Sequence, residues 1–155
     1  MKIIVVSDTH GDFYSFQRVM QMHKNADVVI HCGDSRDEID RIKELFPDKV
    51  YVCVKGNCDL GSNLKYTETE NFASKKFLIT HGHNYQVKYT LYNLVCAARE
   101  QKADIVCFGH THNAVCEYDD GLYIINPGSL NGYDATYAII EIKDNGILAN
   151  IAKLK

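Results

Sequence analysis

Three short apolar runs, Ile3–Val6, Val28–Ile30 and Val50–Val54, are each separated from the next by an amphipathic stretch. A tight hairpin cannot span gaps of that length, whereas parallel strands joined by crossover helices do so naturally. Lys2–Ser7 reads as the first strand, and Asp12–His23 as a helix with Phe13, Phe16, Met20 and His23 near one face. Asp27–His31 is a second strand. Ser35 and Glu38 have the S-x-x-E spacing of a capping box. The helix it would open presents Ile39, Ile42 and Leu45 or Phe46 inward and ends before Pro47. Val50–Val54 completes a βαβαβ unit.

Beyond Lys55 the pattern changes. Lys65–Phe72 and Lys75–Thr80 read as strands, and Asp104–Phe108 as another. Between them, Gln86–Gln101 places Val87, Leu91, Leu94, Val95 and Ala98 along one helical stripe. From Asn113 onward there is no helical period. Ala114–Tyr118 and Leu122–Ile125 flank Asp119-Asp120-Gly121, and Tyr137–Lys143 and Ile147–Leu154 flank Asp144-Asn145-Gly146. Both read as hairpins, because Asn, Asp and Gly tolerate positive φ. An α/β chain of this kind buries all its apolar faces if two sheets face each other with helices outside. No Pro-, Ser- or Gly-rich linker interrupts it, so residues 1–155 are expected to form a single domain.

Composition narrows the function. With 46% apolar and 24% charged residues the chain is neither disordered nor fibrous. A net charge of −3, with basic clusters no longer than Lys75-Lys76, argues against an extended nucleic-acid-binding face. The Ile3–Val6 run is too short for a signal peptide or a membrane span. Six cysteines, Cys32, Cys53, Cys58, Cys96, Cys107 and Cys116, form no CxxC pair, and four sit inside apolar runs. That usage points to free thiols in a reducing cytoplasm.

The chemistry lies where the strands end. Successive apolar runs lead into Ser7-Asp8-Thr9-His10-Gly11, His31-Cys32-Gly33-Asp34, Lys55-Gly56-Asn57-Cys58-Asp59, Thr80-His81-Gly82-His83 and Gly109-His110-Thr111-His112. One Asp after a strand is most often a turn residue, and one His most often a hydrogen-bonded core or surface group. Five such motifs, each beside a glycine, are a different matter, because strand C-termini of α/β sheets converge on the ligand crevice. Asp8, His10, Asp34, Asn57, His81, His110 and His112 supply only oxygen and imidazole donors. Such a set suits borderline divalent ions such as Mn²⁺, Zn²⁺, Fe²⁺ or Ni²⁺ rather than a structural cysteine–zinc site. Seven donors are too many for one ion with an open position, but they suffice for two ions that share a carboxylate.

These blocks resemble the five ordered motifs of the calcineurin-like metallophosphoesterases, most closely the small YfcE-type phosphodiesterases of bacteria and archaea. The likeness runs from Asp8 to the Asn126-Pro127-Gly128-Ser129 turn. It implies a four-layer α/β/β/α sandwich, the metallo-dependent phosphatase fold, with two mixed sheets flanked by helices. It also implies that Asp8, His10 and His112 hold one ion, that Asn57, His81 and His110 hold the other, and that Asp34 bridges them. Mn²⁺ is the favoured metal. Cys58 stands where many members of the wider superfamily carry a histidine taken to protonate the leaving group, and Asp59 becomes a supporting residue. The implied activity is that of a phosphoric diester hydrolase, in which a metal-bridging hydroxide attacks a small phosphodiester in line. Without a histidine at residue 58, activated aryl diesters should be better substrates than alkyl monoesters. A non-catalytic metal-binding scaffold of the same fold and a phosphomonoesterase are the alternatives. The implied partners are a small phosphodiester and further copies of the chain, as a dimer or tetramer, but no membrane. His31 is expected to be packed and hydrogen bonded, and His83 to face the cleft or support it.

Overall fold

The computed structural model describes residues 1–155. Its first half runs β1 (Lys2–Val6), α1 (Phe13–Met22), β2 (Val28–His31), α2 (Glu38–Leu45) and β3 (Val50–Cys53). Then come β4 (Thr67–Phe72), β5 (Lys75–Thr80), a 3₁₀ turn (His83–Tyr85), α3 (Tyr92–Glu100) and β6 (Ile105–Cys107). The chain ends with β7 (Val115–Asp119), β8 (Leu122–Asn126), β9 (Thr136–Lys143) and β10 (Gly146–Lys153). No helix is long and apolar enough to cross a membrane.

Both faces of β1 are apolar, and this decides the layering. Ile3 and Val5 point one way, Ile4 and Val6 the other, and all four are fully buried. One sheet has the order β10-β9-β1-β2-β3, with β1, β2 and β3 parallel and β9 and β10 antiparallel. The other has the order β4-β5-β6-β8-β7, parallel from β5 through β8. Ile3, Val5, Val28 and Ile30 meet Phe77, Ile79, Ile105 and Ile125 between the sheets. On the outer faces, Ile4 and Val6 pack under Phe16 of α1 and Ile42 of α2, while Leu78 and Val106 pack under Leu94 and Ala98 of α3. The result is the expected α/β/β/α sandwich of two mixed sheets.

Three local details differ from the sequence pattern. The helix expected over Gln86–Gln101 is regular only over Tyr92–Glu100. Gln86 adopts a left-handed φ of 58°, and Val87 turns in to bury itself against Gly82 and Phe108. The apolar stripe therefore holds although its first turn is not helical. The Ser35–Glu38 capping box does not form either: Asp37 occupies the N-cap without a side-chain bond, and Glu38 is fully buried in another network. In the β9–β10 hairpin, Lys143 pairs with Gly146, so Asp144-Asn145 forms the two-residue loop and Gly146, at φ 136°, lies in the ladder.

Candidate metal centre

The C-terminal ends of β1, β2, β3, β5 and β6 lie along one edge of the sandwich, tied to each other through the backbone. Asp8 and His10 donate their N–H groups to the carbonyls of Gly33 and Asp34 at 3.0 and 3.1 Å, and Gly109 donates to His81 at 3.1 Å. Asp8, His10, Asp34, His110 and His112 all have φ between 46° and 67°. The left-handed region costs a non-glycine residue on the order of 1 kcal/mol, so five such residues together mark a built site. Gly56 and Gly109 give the room. A Cβ on Gly56 would stand 2.0 Å from Asp34 Oδ1, and one on Gly109 would stand 2.7 Å from Asp8 Oδ2.

Each carboxylate is held by one oxygen and presents the other. Asp8 Oδ2 accepts from Ser7 Oγ at 2.6 Å and from the His110 N–H at 3.1 Å, while Oδ1 is buried and receives no hydrogen bond. Asp34 Oδ1 accepts from the Cys58 N–H at 2.8 Å. Its Oδ2 lies 3.4 Å from His81 Nε2 and 4.0 Å from His10 Nε2. Asp8 Oδ1 lies 3.0 Å from His112 Nε2 and 4.0 Å from both His10 and His81 Nε2. Asn57 turns its amide nitrogen to Cys58 Sγ and its oxygen to His81 Nε2 at 3.1 Å. The His110 ring stands 5.0 Å from that of His81. Asp8, His10, Asp34, Asn57, His81 and His112 thus bring donor atoms together, with the His110 ring set beside His81.

The protonation chemistry of the cluster fits a divalent metal centre. His81 Nδ1 lies 2.7 Å from the Cys32 carbonyl, which only accepts, so Nδ1 carries a hydrogen and Nε2 is the nitrogen turned to the carboxylates, where it can bind an ion when it is without a proton. That nitrogen, Asp8 Oδ1, Asp34 Oδ2 and Asn57 Oδ1 all face inward, an arrangement that calls for positive charge between them. The same demand is written in His81 itself: burial lowers its pKa, but the Asp34 and Asp8 carboxylates outweigh burial and raise it. Burial likewise opposes ionisation of Asp34, yet hydrogen bonds from His81 and Cys58 hold its carboxyl well below the usual range. Burial, with the neighbouring His81 and Lys88 charges, pushes His110 down to about 4, leaving a neutral imidazole near pH 7. Two overlapping donor groups, Asp8–His10–His112 and Asp8–Asp34–His81, each gather ligand atoms within 4.8 Å of one another. Cys58 Sγ joins His10 and Asp34 in a third. Its thiol pKa is raised, first by the hydrogen bond to Asp34 and then by burial.

Two networks position these donors: Asp59 and His31 take the supporting and packed roles expected of them, whereas the part played by Glu38 was not read from the sequence. Asp59 accepts three backbone N–H groups, from Asp34 and Ser35 at 2.8 Å and from Gly56 at 2.7 Å. It thereby clamps the β2 loop to the β3 loop. Glu38 accepts from the Thr9 hydroxyl, the Gly11 N–H and the Arg36 N–H, clamping the β1 loop to the start of α2. Behind Thr9 lies His31, fully buried, whose Nδ1 accepts from the Gly33 N–H at 3.1 Å, so that its Nε2–H donates to Thr9 Oγ1 at 2.9 Å. Ser129 and Asn131 complete the frame by donating to the carbonyls of Asp8 and Thr9. For Glu38 the available sequence signal was its place one position before the apolar Ile39.

His31 has a measurable pH signature. Burial drives its pKa down to about 4 from 6.5. The unfolded chain therefore binds the extra proton between pH 6.5 and 4, and folding stability falls as pH drops through that window. The loss amounts to about 3 kcal/mol at full extent. Urea unfolding of chelator-treated protein at pH 7 and pH 4.5 is expected to show it. His31→Gln removes this share of the pH slope, and an unchanged slope in that variant contradicts the assignment.

The calcineurin-like phosphoesterase superfamily domain model matches residues 1–145. The chain is 38% identical over 150 residues to the probable metallophosphoesterase YsnB of Bacillus subtilis, covering 94% of this chain and 86% of that one. It is 33% identical over 162 residues to a phosphodiesterase of Methanocaldococcus jannaschii, covering 93% of each. Among solved structures, a Streptococcus pneumoniae protein described as a predicted phosphoesterase superposes with a TM-score of 0.82 at 28% identity, covering 98% of this chain and 88% of that one. With the motifs, the sandwich and the donor cluster on one edge, these matches show that the chain belongs to the calcineurin-like phosphoesterase superfamily.

Proposed function

We propose that the chain is a dinuclear metal-dependent phosphodiesterase acting on a small phosphodiester in the cytoplasm. The observation that carries this reading is the ring of inward-facing donor atoms around Asp8 Oδ1 and Asp34 Oδ2. Asp8, His10 and His112 are assigned to one ion, Asn57, His81 and His110 to the other, with Asp34 shared. Two bound divalent ions, Mn²⁺ by preference, would supply an acidified water and neutralise the charge that builds on the phosphoryl oxygens. The chain's own part is to hold the donors rigid and to turn each carboxylate's free oxygen inward. Asn57 contributes a neutral oxygen, which binds without cancelling the positive charge. Cys58, its thiol pKa raised beside Asp34, stands at the edge of the cluster, where it would serve an ester oxygen as a weak donor. The cytoplasmic placement rests on six free cysteines, two of them fully buried.

The test is hydrolysis of bis-p-nitrophenyl phosphate by chelator-stripped protein, before and after addition of Mn²⁺. Turnover is expected only with metal, and faster than that of glycerol phosphate under matched conditions. Silence with Mn²⁺, Zn²⁺ and Ni²⁺ alike overturns the enzymatic reading in favour of a non-catalytic scaffold. Equal turnover of the monoester overturns the preference for diesters.

A further inference from the structure

Two of the clustered imidazoles are aimed in different ways. The His81 ring is fixed from behind, with Nδ1 on the Cys32 carbonyl at 2.7 Å. The His10 ring has no such anchor. Its side chain is 31% exposed, and its Nε2 stands 4.0 Å from Asp8 Oδ1 and from Asp34 Oδ2, beyond hydrogen-bond reach. A metal-binding imidazole is ordinarily oriented through its second nitrogen, so for His10 the backbone has to do that work. That backbone is strained: φ is 53° at Asp8 and 46° at His10, and such conformations persist only where the surroundings over-determine them.

One carboxylate oxygen brackets His10. Glu38 Oε1 accepts from the Thr9 hydroxyl on one side of it and from the Gly11 N–H, at 3.2 Å, on the other. Glu38 Oε2 accepts from the Arg36 N–H at 2.8 Å. The direction of the chain behind Thr9 is set by a backbone group. The Gly33 N–H donates to His31 Nδ1, His31 Nε2–H donates to Thr9 Oγ1, and Thr9 passes its own hydrogen to Glu38. Glu38 is thus met by three donors, all neutral, although it is fully buried. A buried carboxylate without a cation is costly, and positive charge close by offsets that cost. The other half of the cluster has its own support. Asp59 takes the N–H groups of Asp34, Ser35 and Gly56, and the Cys32 carbonyl holds His81.

We propose that Glu38 is a positioning residue for His10 and sets the affinity of one ion alone, the one assigned to Asp8, His10 and His112. The ion assigned to Asn57, His81 and His110 is left nearly unchanged. The inference rests on the dinuclear reading above and deepens it, because it makes the two ion sites separately adjustable. Glutamine at residue 38 has one acceptor oxygen for three donors, so either the bracket around His10 or the Arg36 bond is lost, together with the charge.

The experiment is calorimetric titration of the chelator-stripped full chain with Mn²⁺, in His110→Ala and His112→Ala backgrounds, each with and without Glu38→Gln. His110→Ala is expected to leave the ion beside His10, and Glu38→Gln then weakens binding by about 10- to 100-fold. His112→Ala is expected to leave the other ion, whose affinity Glu38→Gln changes by less than about threefold. Thr9→Val, which deletes the hydroxyl at nearly constant volume, follows Glu38→Gln, and Thr9→Ser, which keeps it, follows the parent chain. These two variants carry the same comparison where Glu38→Gln fails to fold. A Glu38→Gln chain that unfolds earlier yet binds both ions with parent affinity overturns the proposal, and so does equal weakening of both ions. A parent chain that binds one equivalent sinks the dinuclear reading instead. In that case, weakening of that ion by about tenfold or more in Glu38→Gln upholds the positioning of His10, and an unmoved affinity overturns it. No Mn²⁺ binding by the parent chain overturns both.

Discussion

Asp34→Asn is expected to lower Mn²⁺-dependent hydrolysis of bis-p-nitrophenyl phosphate by about 10³-fold, equivalent to about 4 kcal/mol of transition-state stabilisation. The substitution is isosteric. One oxygen of Asp34 is fixed by the Cys58 N–H at 2.8 Å, and an asparagine oxygen accepts the same bond. The change falls on the other position, where Oδ2 stands 3.4 Å from His81 Nε2 and 4.0 Å from His10 Nε2. In the assignment proposed above these two imidazoles would hold different ions, and this oxygen would be the one they share. An amide NH₂ turned there donates a hydrogen bond and cannot bind a cation. Circular dichroism should show the fold retained, with a Mn²⁺ titration short of the wild-type stoichiometry. Activity within tenfold of wild type would falsify the bridging role.

Asp59→Asn is expected to lower stability by about 2 kcal/mol, or about 6 °C in Tm, and to weaken Mn²⁺ binding by about 10- to 100-fold. No sequence pattern marks Asp59 as a ligand, and in the structure it touches none of the inward-facing atoms. Its carboxylate takes one N–H on Oδ1 and two on Oδ2. Asparagine keeps one acceptor oxygen and sets its NH₂ against a backbone donor, freeing either Ser35 or the Asp34–Gly56 clamp. The loops that carry Asp34 and Asn57 then lose their shared anchor. Thermal unfolding with and without Mn²⁺ separates the two effects. A variant that unfolds earlier yet binds Mn²⁺ with wild-type affinity shows the clamp to be structural alone.

The order and faces of the strands were legible because burial on both sides leaves a continuous apolar run, as in Ile3–Val6, and half-burial leaves alternation. The donor set was legible because each of its residues sits within a few positions of a strand's end, a local relation. What stayed hidden was non-local. Glu38 sits three residues after Ser35 and so mimics a cap, but burial sends its carboxylate across to Thr9 and Gly11, two loops away in sequence. The first turn of the Gln86–Gln101 stripe yielded to tertiary packing, since Val87 gains more by filling the space over Gly82 than by continuing a helix. The β4–β5 turn is the plainest case. Ala73 and Ser74 both have positive φ, 47° and 61°, where neither residue type advertises it, and the pairing of Phe72 with Lys75 imposes that shape.

The most direct measurement of the central claim is calorimetric titration of the chelator-stripped chain with Mn²⁺, read for stoichiometry. The dinuclear assignment of Asp8, His10, Asp34, Asn57, His81, His110 and His112 predicts two equivalents per chain. One equivalent, or none, contradicts it.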